Sequence, residues 1–301
     1  MTVESQKPAA GSGDVWTVSR ILEWTTQHLK QHGSPNPRLD AEVLLAHARG
    51  CKRIKLYTDF DQPLTDAQRT VMRDLVKRRA QAEPVAYLIG RKEFYSLDFT
   101  VNSAVLIPRP ETETLVMELI ERARSANAPR ILDLGTGSGC IAITTAVHLP
   151  TAQVTAVDIS PDARQVAIGN AENHKVSDRV RCLEGDLYAP LTAGEQFDFV
   201  VSNPPYIPQA EMPALMADVR KHEPALALDG GAAGLEVITR LIAGASSRIV
   251  PGGWILLEID PPQSAAVQQM LSQSGDFEKI QPVKDLAGEH RVIVGQRTIH
   301  P

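Results

Sequence analysis

The tetrapeptide Asn203-Pro204-Pro205-Tyr206 and the loop Gly135-Thr136-Gly137-Ser138-Gly139 are the two stretches whose residue types and spacing can do chemistry. The first sets a side-chain amide, a proline-stiffened carbonyl and an aromatic ring within four residues. A planar amide or exocyclic amine is a poor nucleophile because its lone pair is delocalised, so it must be aimed and its two N–H groups held. Asn203 can accept one of those hydrogens through its side-chain oxygen, and the Pro204 carbonyl can accept the other. Two such acceptors pull the nitrogen toward tetrahedral geometry and stabilise positive charge as it develops, while Tyr206 can stack on the planar group. No Asp or Glu base is demanded, because the proton becomes acidic as the new C–N bond forms. A proline pair by itself only stiffens a turn. Here it follows the apolar stretch 197–202 directly, which places it in the crevice at the carboxyl end of a strand.

The second stretch follows another apolar run, residues 130–134, and opens a helix at Cys140. Glycines serve where the backbone turns sharply and a ligand approaches it closely. Gly135, Gly137 and Gly139 alternate, whereas dinucleotide sites characteristically use Gly-x-Gly-x-x-Gly; the position for that last glycine is Cys140, which disfavours NAD. Nineteen residues beyond Gly139 a strand ends in Asp158, which can accept both ribose hydroxyl hydrogens, while Ser160-Pro161 caps and begins the next helix. Asp186 follows the third strand where an adenine amino group would lie, with an ordinary loop aspartate as the other reading, and Leu187 can pack on the adenine face. Asp133 either positions the loop or meets a ligand ammonium. A nucleotide site beside a holder for a planar nitrogen implies a methyl sulfonium donor, S-adenosylmethionine, leaving S-adenosylhomocysteine, with no metal. Asn203, at the junction of the two halves, is expected to touch this cofactor as well.

These residues need a scaffold. From 130 onward strands and helices alternate, with strands at 130–134, 153–158, 180–183 and 197–202, which implies a parallel sheet covered by helices. A helix over 235–248 then precedes the Gly252-Gly253 turn, a strand at 254–259, another helix and two close strands at 277–283 and 291–294. Seven strands with a final hairpin predict an α/β, Rossmann-like class I methyltransferase sheet. The first 90 residues instead carry helical spacing. Thr17 caps one helix with Ile21, Leu22, Trp24 and Leu29 on its apolar side. A second spans 39–50 with Val43, Leu44 and His47 on one face, and a third opens at Thr65 with Val71, Leu75 and Val76 inward and the basic residues outward. Between 92 and 101, Phe94, Leu97, Phe99 and Val101 alternate with polar residues, as in a hairpin joining two domains. The expected division is a disordered tail at 1–14, an N-terminal helical substrate-recognition domain at 15–86, a hairpin linker at 87–104 and the catalytic domain at 105–301.

Composition excludes several classes. Of 301 residues, 43% are hydrophobic and 22% charged, ordinary for a globular chain, and no apolar run approaches the length of a membrane span. Cys51, Cys140 and Cys182 are widely separated and odd in number, which fits a reducing cytoplasm rather than a disulfide framework or a zinc site. The net charge of -5 gives no global attraction to nucleic acid, although 49–92 holds 11 Lys and Arg against 5 Asp and Glu. That local excess reads either as a solvated helix face at Arg73, Lys77, Arg78 and Arg79, or as a docking surface for an acidic protein or RNA.

Together these residues resemble the family of peptide chain release factor glutamine methyltransferases. The likeness extends to Glu93-Phe94-Tyr95, to the run from Val105 through Pro108-Arg109-Pro110-Glu111-Thr112-Glu113, to Leu228-Asp229-Gly230-Gly231, Gly234-Leu235 and Gly252-Gly253-Trp254, and to Leu257-Glu258-Ile259. It covers roughly 17–296. The resemblance implies an N-terminal helical bundle joined by a hairpin to the methyltransferase domain. It also implies methylation of the glutamine amide in a Gly-Gly-Gln tripeptide, with Gly135 to Gly139 and Asp158 on the cofactor and Asn203 to Tyr206 on the glutamine. Arg109 or Glu111 would shape the entrance. The protein partners would be release factors, with neither a membrane nor nucleic acid as substrate. The same tetrapeptide also serves enzymes that methylate amino groups of adenine or guanine, and a ribosomal-protein glutamine is a third acceptor that fits. Ser96 and Asp260 stand where the family commonly has glycine, and only local loop changes are expected there.

Overall fold

A computed structural model describes residues 15–299; the tail expected at 1–14 lies outside them. The chain divides into two compact units, the first ending at Ile89 and the second beginning at Gly90.

The first unit is helical: α1 (Val18–Gln31), α2 (Pro37–Arg49), the single turn α3 (Lys55–Thr58), α4 (Asp66–Arg79) and the short α5 (Val85–Ile89). Thr17 caps α1 by accepting the Arg20 amide, and Thr65 forms a reciprocal capping box with Gln68 on α4. Val18, Leu22, Leu29, Leu44, Leu45, Leu56, Leu75 and Val76 meet in one core. Four assignments to an apolar face made from spacing are corrected by the packing. Trp24 is 49% exposed, because it lies two residues round the helix from Leu22. On α2 the buried stripe is Ala41, Leu44 and Leu45, so Val43 is half-buried and His47 exposed. On α4 it is Met72, Leu75, Val76 and Arg79, which turns Val71 outward. Arg79 is therefore not part of the solvated basic face: its Nε donates to Asp40 Oδ2 at 2.7 Å, with both side chains largely buried.

The second unit opens with the hairpin of β1 (Arg91–Phe94) and β2 (Leu97–Thr100). The hairpin is part of this unit's core rather than a bare linker, since Phe94 and Phe99 are buried with Leu115, Leu119 and Ile141. At its turn Tyr95 and Ser96 have φ of 50° and 61°. The left-handed conformation costs an L-residue about 1–2 kcal/mol, which is the physical reason a glycine suits position 96. The strain is held by a side chain outside the turn, Glu113, whose Oε1 accepts the Tyr95 amide at 2.9 Å.

After α6 (Thr112–Ala123) come β3 (Arg130–Leu134), α7 (Cys140–His148), β4 (Gln153–Asp158), α8 (Pro161–Asn173), β5 (Val180–Glu184) and β6 (Phe197–Ser202). The chain continues through α9 (Ala217–His222), α10 (Glu236–Ala245), β7 (Ile249–Glu258), α11 (Ser264–Ser274), β8 (Phe277–Lys284) and β9 (His290–Arg297). Seven strands pair in the order β5-β4-β3-β6-β7-β9-β8, parallel through β7 and antiparallel over the last hairpin. Alternate residues of the central strands bury against opposite layers. Ile131, Val154, Phe199 and Leu256 pack with α6 and α7; Leu132, Val157, Val200 and Leu257 pack toward α10 and α11. Both faces are covered, so the parallel strands read as nearly continuous apolar runs. β7 begins earlier than its sequence suggested: Ile249 already pairs with Phe197, and the register shift between Phe197 and Phe199 absorbs the Gly252-Gly253 irregularity.

Strand order reverses between β3 and β6, so the connections that leave their carboxyl ends part in opposite directions and open a crevice there. The Ser202 hydroxyl donates to the Leu134 carbonyl at 2.6 Å and ties those two ends together. Among the described residues no helix is long and apolar enough to cross a membrane, and Cys51, Cys140 and Cys182 are unpaired.

Candidate active site

The glycine loop is held by backbone geometry. Gly135, Gly137 and Gly139 all have positive φ, of 72°, 56° and 80°, and a side chain on Gly139 would also stand 2.7 Å from the Ile143 methyl. The amides of Gly135 and Thr136 both donate to the Val157 carbonyl, at 2.9 and 3.0 Å, locking the loop to β4. Nothing lies within 4 Å of where side chains on Gly135 or Gly137 would project, so the loop presents bare backbone to open space.

Asp158 is nearly buried at the end of β4. Its Oδ2 accepts the Gly137 amide at 2.8 Å and its Oδ1 the Ser160 amide at 2.9 Å, while the Ser160 hydroxyl caps α8 at Ala163. Each carboxylate oxygen keeps a further lone-pair site. Burial raises the carboxyl above its ordinary range, against the pull of those amides. Asp133 is fully buried. Its Oδ2 accepts the Thr136 hydroxyl at 2.6 Å, and its Oδ1 has no hydrogen-bond partner. Burial pushes this carboxyl up to about 7, with the Thr136 hydrogen bond opposing.

Loop, strand ends and tetrapeptide enclose a cavity of about 260 Å³. Gly135 to Ser138, Asp158, Asp186 and Leu187 line one side; Asn203, Pro204, Pro205, Thr112 and Arg109 line the other. Asp133 lies beneath the loop, outside the lining. Asp186 pairs with Arg240 on α10, and Leu187 adopts φ 50° to reach both the cavity and the apolar layer behind it.

On the acceptor side, Asn203 donates from Nδ2 to the Thr112 hydroxyl at 3.1 Å, across 91 residues of sequence. That bond commits the amide nitrogen and leaves the carbonyl Oδ1 as the uncommitted acceptor. Pro204 is buried. Tyr206 stands apart from the other three: its ring packs with the α10–α11 layer rather than lining the cavity, and its hydroxyl reaches Glu258 Oε1 in a long 3.5 Å contact. Burial, reinforced by the Glu258 charge, raises the phenol. The tetrapeptide backbone is clamped from outside. Gln263 Nε2 donates to the carbonyls of Tyr206, at 2.9 Å, and Gly234, at 3.1 Å, and Ile207 bridges to Asp229. Asp260 fits beside it by capping the turn that carries Gln263, which accounts for an acidic residue in place of glycine.

Arg109 lines the cavity and donates to Glu223 Oε1 at 2.6 Å, while Glu223 Oε2 accepts the Ile107 amide at 3.2 Å. Burial raises Glu223, and Arg109 opposes it. Glu111 is exposed at the start of α6 and lies outside the lining.

Four residues that spacing did not single out support the site: Thr112, Glu223, Glu258 and Gln263. Thr112 and Glu258 both lay in runs that carry the family resemblance, and Glu258 had a further signal as an acidic residue ending the apolar run Ile255-Leu256-Leu257 of a central strand, where an unpaired charge is costly; Glu223 and Gln263 had none.

The chain is similar over most of its length to known proteins. Residues 20–90 match the family model described as the PrmC N-terminal domain, and 111–231 match the methyltransferase small domain. A release factor glutamine methyltransferase of Rhodopirellula baltica is 47% identical over 94% of this chain and 97% of its own. Those of Geobacter sulfurreducens, 44% identical over 94% and 98%, and Salmonella typhimurium, 41% over 91% and 98%, are similar along their length too. Among solved structures, a methyltransferase from Pyrococcus furiosus shares the fold with a TM-score of 0.51 at 17% identity, over 69% of this chain and 92% of that one. The hMettl16 catalytic domain does so with a TM-score of 0.54 at 17% identity, over 69% and 77%. Both halves of the chain, the helical unit and the sheet that carries the tetrapeptide, therefore have their counterparts in one group of relatives, and the chain belongs to the release factor glutamine methyltransferase family.

Proposed function

We propose that the chain transfers a methyl group from S-adenosylmethionine to the side-chain amide nitrogen (N5) of the glutamine in the Gly-Gly-Gln motif of peptide chain release factors, releasing S-adenosylhomocysteine. The observation that carries this reading is the Asn203–Thr112 hydrogen bond, which leaves a carbonyl acceptor beside the Pro204 carbonyl at the wall of the cavity.

The donor set fits the cofactor. Bare backbone at Gly135 and Gly137 admits a close ligand, Asp158 keeps lone pairs for two ribose hydroxyls, and Asp186 and Leu187 line the place for adenine. Asp133, with one buried unpartnered oxygen beneath the loop, supplies negative charge toward the ammonium end. When bound, the cofactor supplies an electrophilic methyl already activated as a sulfonium, so the reaction calls for no metal. Asn203 Oδ1 and the Pro204 carbonyl each accept one N–H of the glutamine amide and hold its nitrogen in line. They also stabilise the positive charge that grows on that nitrogen as the C–N bond forms. The proton then leaves an acidified nitrogen without a dedicated carboxylate base. The Pro205 ring stiffens the turn, so these acceptors are pre-aimed. Tyr206 would meet the substrate only by moving its ring from the layer it occupies. Arg109, pinned by Glu223, shapes the entrance, and the helical unit recognises the release factor in the cytoplasm.

The test incubates the protein with radiolabelled S-adenosylmethionine and a release factor, in parallel with a Gln-to-Ala version of the factor's Gly-Gly-Gln loop and with ribosomal RNA. Label on the wild-type factor alone, abolished by Asn203→Ala, is the expected result. Label on RNA or on a ribosomal protein, or none on the factor despite bound cofactor, overturns it.

A further inference from the structure

Asn170 lies on α8, outside the cavity lining, and is fully buried. The face that α8 buries consists of Ala163, Ala167, Asn170 and Ala171, three small apolar residues and one amide. The alanines let the helix come close to its neighbours: a side chain on Gly139 would begin 3.3 Å from the Ala167 methyl. An amide buried among them costs free energy unless its polar atoms are matched, and here the oxygen and both hydrogens are. Oδ1 accepts the Thr100 amide at 2.8 Å, while Nδ2 donates to the Thr100 carbonyl at 3.0 Å and to the Ser138 carbonyl at 2.9 Å. The three partners are backbone groups of fixed role, so the side-chain amide has one orientation.

Those partners belong to two different parts of the cavity wall. Ser138 lies near the end of the glycine loop and lines the cavity. Thr100 ends β2 and starts the run that carries Ala104, Val105 and Leu106, which line it as well. The loop's other anchors, the Val157 carbonyl and the Asp158 carboxylate, hold Gly135, Thr136 and Gly137; Asn170 holds the far end. We infer that Asn170 is a positioning residue for the cofactor half of the site: its amide joins the glycine loop at Ser138 to the cavity-lining run that leaves Thr100, and so keeps the two at one spacing. The inference rests on the cofactor reading of the cavity.

An apolar residue at 170 would fill the same space but leave one backbone amide and two carbonyls without partners, which costs more than a formed bond is worth. The loop and the run from Thr100 would then be ordered only when the ligand binds, and affinity falls by that ordering cost. The acceptor half has anchors of its own, since Asn203 bonds to Thr112 and Arg109 to Glu223. Loss of Asn170 is therefore felt by the cofactor and not by the protein substrate.

The experiment titrates S-adenosylmethionine into wild type, Asn170→Ala, Asn170→Leu and a control, Val267→Ala, by calorimetry at a temperature where all are folded. Val267 is buried in the α10–α11 layer and does not line the cavity. Backbone amide exchange over 98–109 and 135–139 is followed with and without cofactor, and steady-state methylation gives KM for each substrate. Expected is a Kd about tenfold higher in both Asn170 variants. KM for the cofactor rises alike, while kcat at saturating cofactor and KM for the release factor stay at wild-type values. Exchange without cofactor quickens in both segments together, and Val267→Ala keeps wild-type affinity although it lowers Tm. Wild-type affinity in Asn170→Ala overturns the inference. So does recovery in Asn170→Leu, which would reduce the residue to packing, or an equal loss in Val267→Ala. If the Asn170 variants do not fold, the wild type decides: cofactor should slow exchange of the Thr100 amide, which is outside the lining, more than that of the β1 amides, and equal slowing overturns the inference. A wild-type protein that binds no S-adenosylmethionine sinks the cofactor reading instead; exchange in Asn170→Ala still tests the link, and two unchanged segments overturn it.

Discussion

Gly234 and Tyr206 are in such close contact that a methyl group on Gly234 would stand 2.2 Å from the Tyr206 carbonyl oxygen. Gly230 is also tight, with the Pro205 carbonyl 2.8 Å from where its side chain would begin. The segment between Leu228 and Leu235 is thus a mould for the tetrapeptide, and glycine is needed because backbone meets backbone. Gly234, at φ 72°, has the conformational reason as well.

Gly234→Ala should displace Tyr206 and its neighbours rather than be absorbed, because the opposing atoms are backbone. The expected cost is about 1–3 kcal/mol of stability, and the acceptor shift should lower kcat by ten- to a hundredfold, since a misplacement of about 1 Å is worth that much. Thermal melting and steady-state methylation check the two effects separately; a variant of wild-type kcat would show that the mould is not required.

Asp158→Ala removes the anchor of the Gly137 amide and, on the proposed reading, the ribose acceptor. Hydrogen bonds to a charged group contribute about 1.5–3 kcal/mol each, so titration calorimetry should show S-adenosylmethionine bound at least tenfold more weakly. Affinity within twofold of wild type would remove Asp158 from the cofactor site.

Asp133 gives the protein without cofactor a characteristic pH dependence. Its folded-state pKa, about 7, lies above the ordinary 3.8, so the protonated form is the one the fold favours. The stability this contributes is complete below about pH 4 and is lost as pH rises through 7. Asp133→Asn should therefore flatten part of the fall in Tm between pH 5 and pH 8, where wild type loses more. Parallel curves for the two proteins would contradict the burial argument.

Arg79 and Arg78 are adjacent and carry the same charge but should behave differently. Arg79 lies against Asp40 in the helical core, whereas Arg78 pairs with Asp74 and Glu83 at a half-exposed position. Arg79→Ala leaves the buried Asp40 carboxylate without its cation, with only the Ser34 hydroxyl donating to it, and should cost about 3 kcal/mol; Arg78→Ala should cost under about 1 kcal/mol. Urea denaturation of the two variants measures the difference, and equal losses would place Arg79 on the surface after all.

What the sequence by itself determined was local. Strand–glycine–helix at 130–140, the Ser160 and Thr65 caps, the alternation of the hairpin and the run into Asn203-Pro204-Pro205-Tyr206 are set by propensities and periodicities within a dozen residues, and each forms where its spacing puts it. The parallel order of the central strands follows from chain topology almost as directly. Only the tertiary structure decided which partners these elements meet. Thr112 reaches Asn203 across 91 residues, Gln263 reaches Tyr206 across 57 and Glu258 across 52, and Arg79 finds Asp40 across 39. Nothing in local spacing encodes such distances, because they depend on how helices lie on the sheet. The same limit explains Trp24, Val71 and His47. An apolar stripe about a hundred degrees wide admits neighbouring residues on either edge, and only packing against a particular partner decides which edge is covered. The sequence therefore singled out the residues proposed for the chemistry, and the fold supplied the side chains that pack and hydrogen-bond around them.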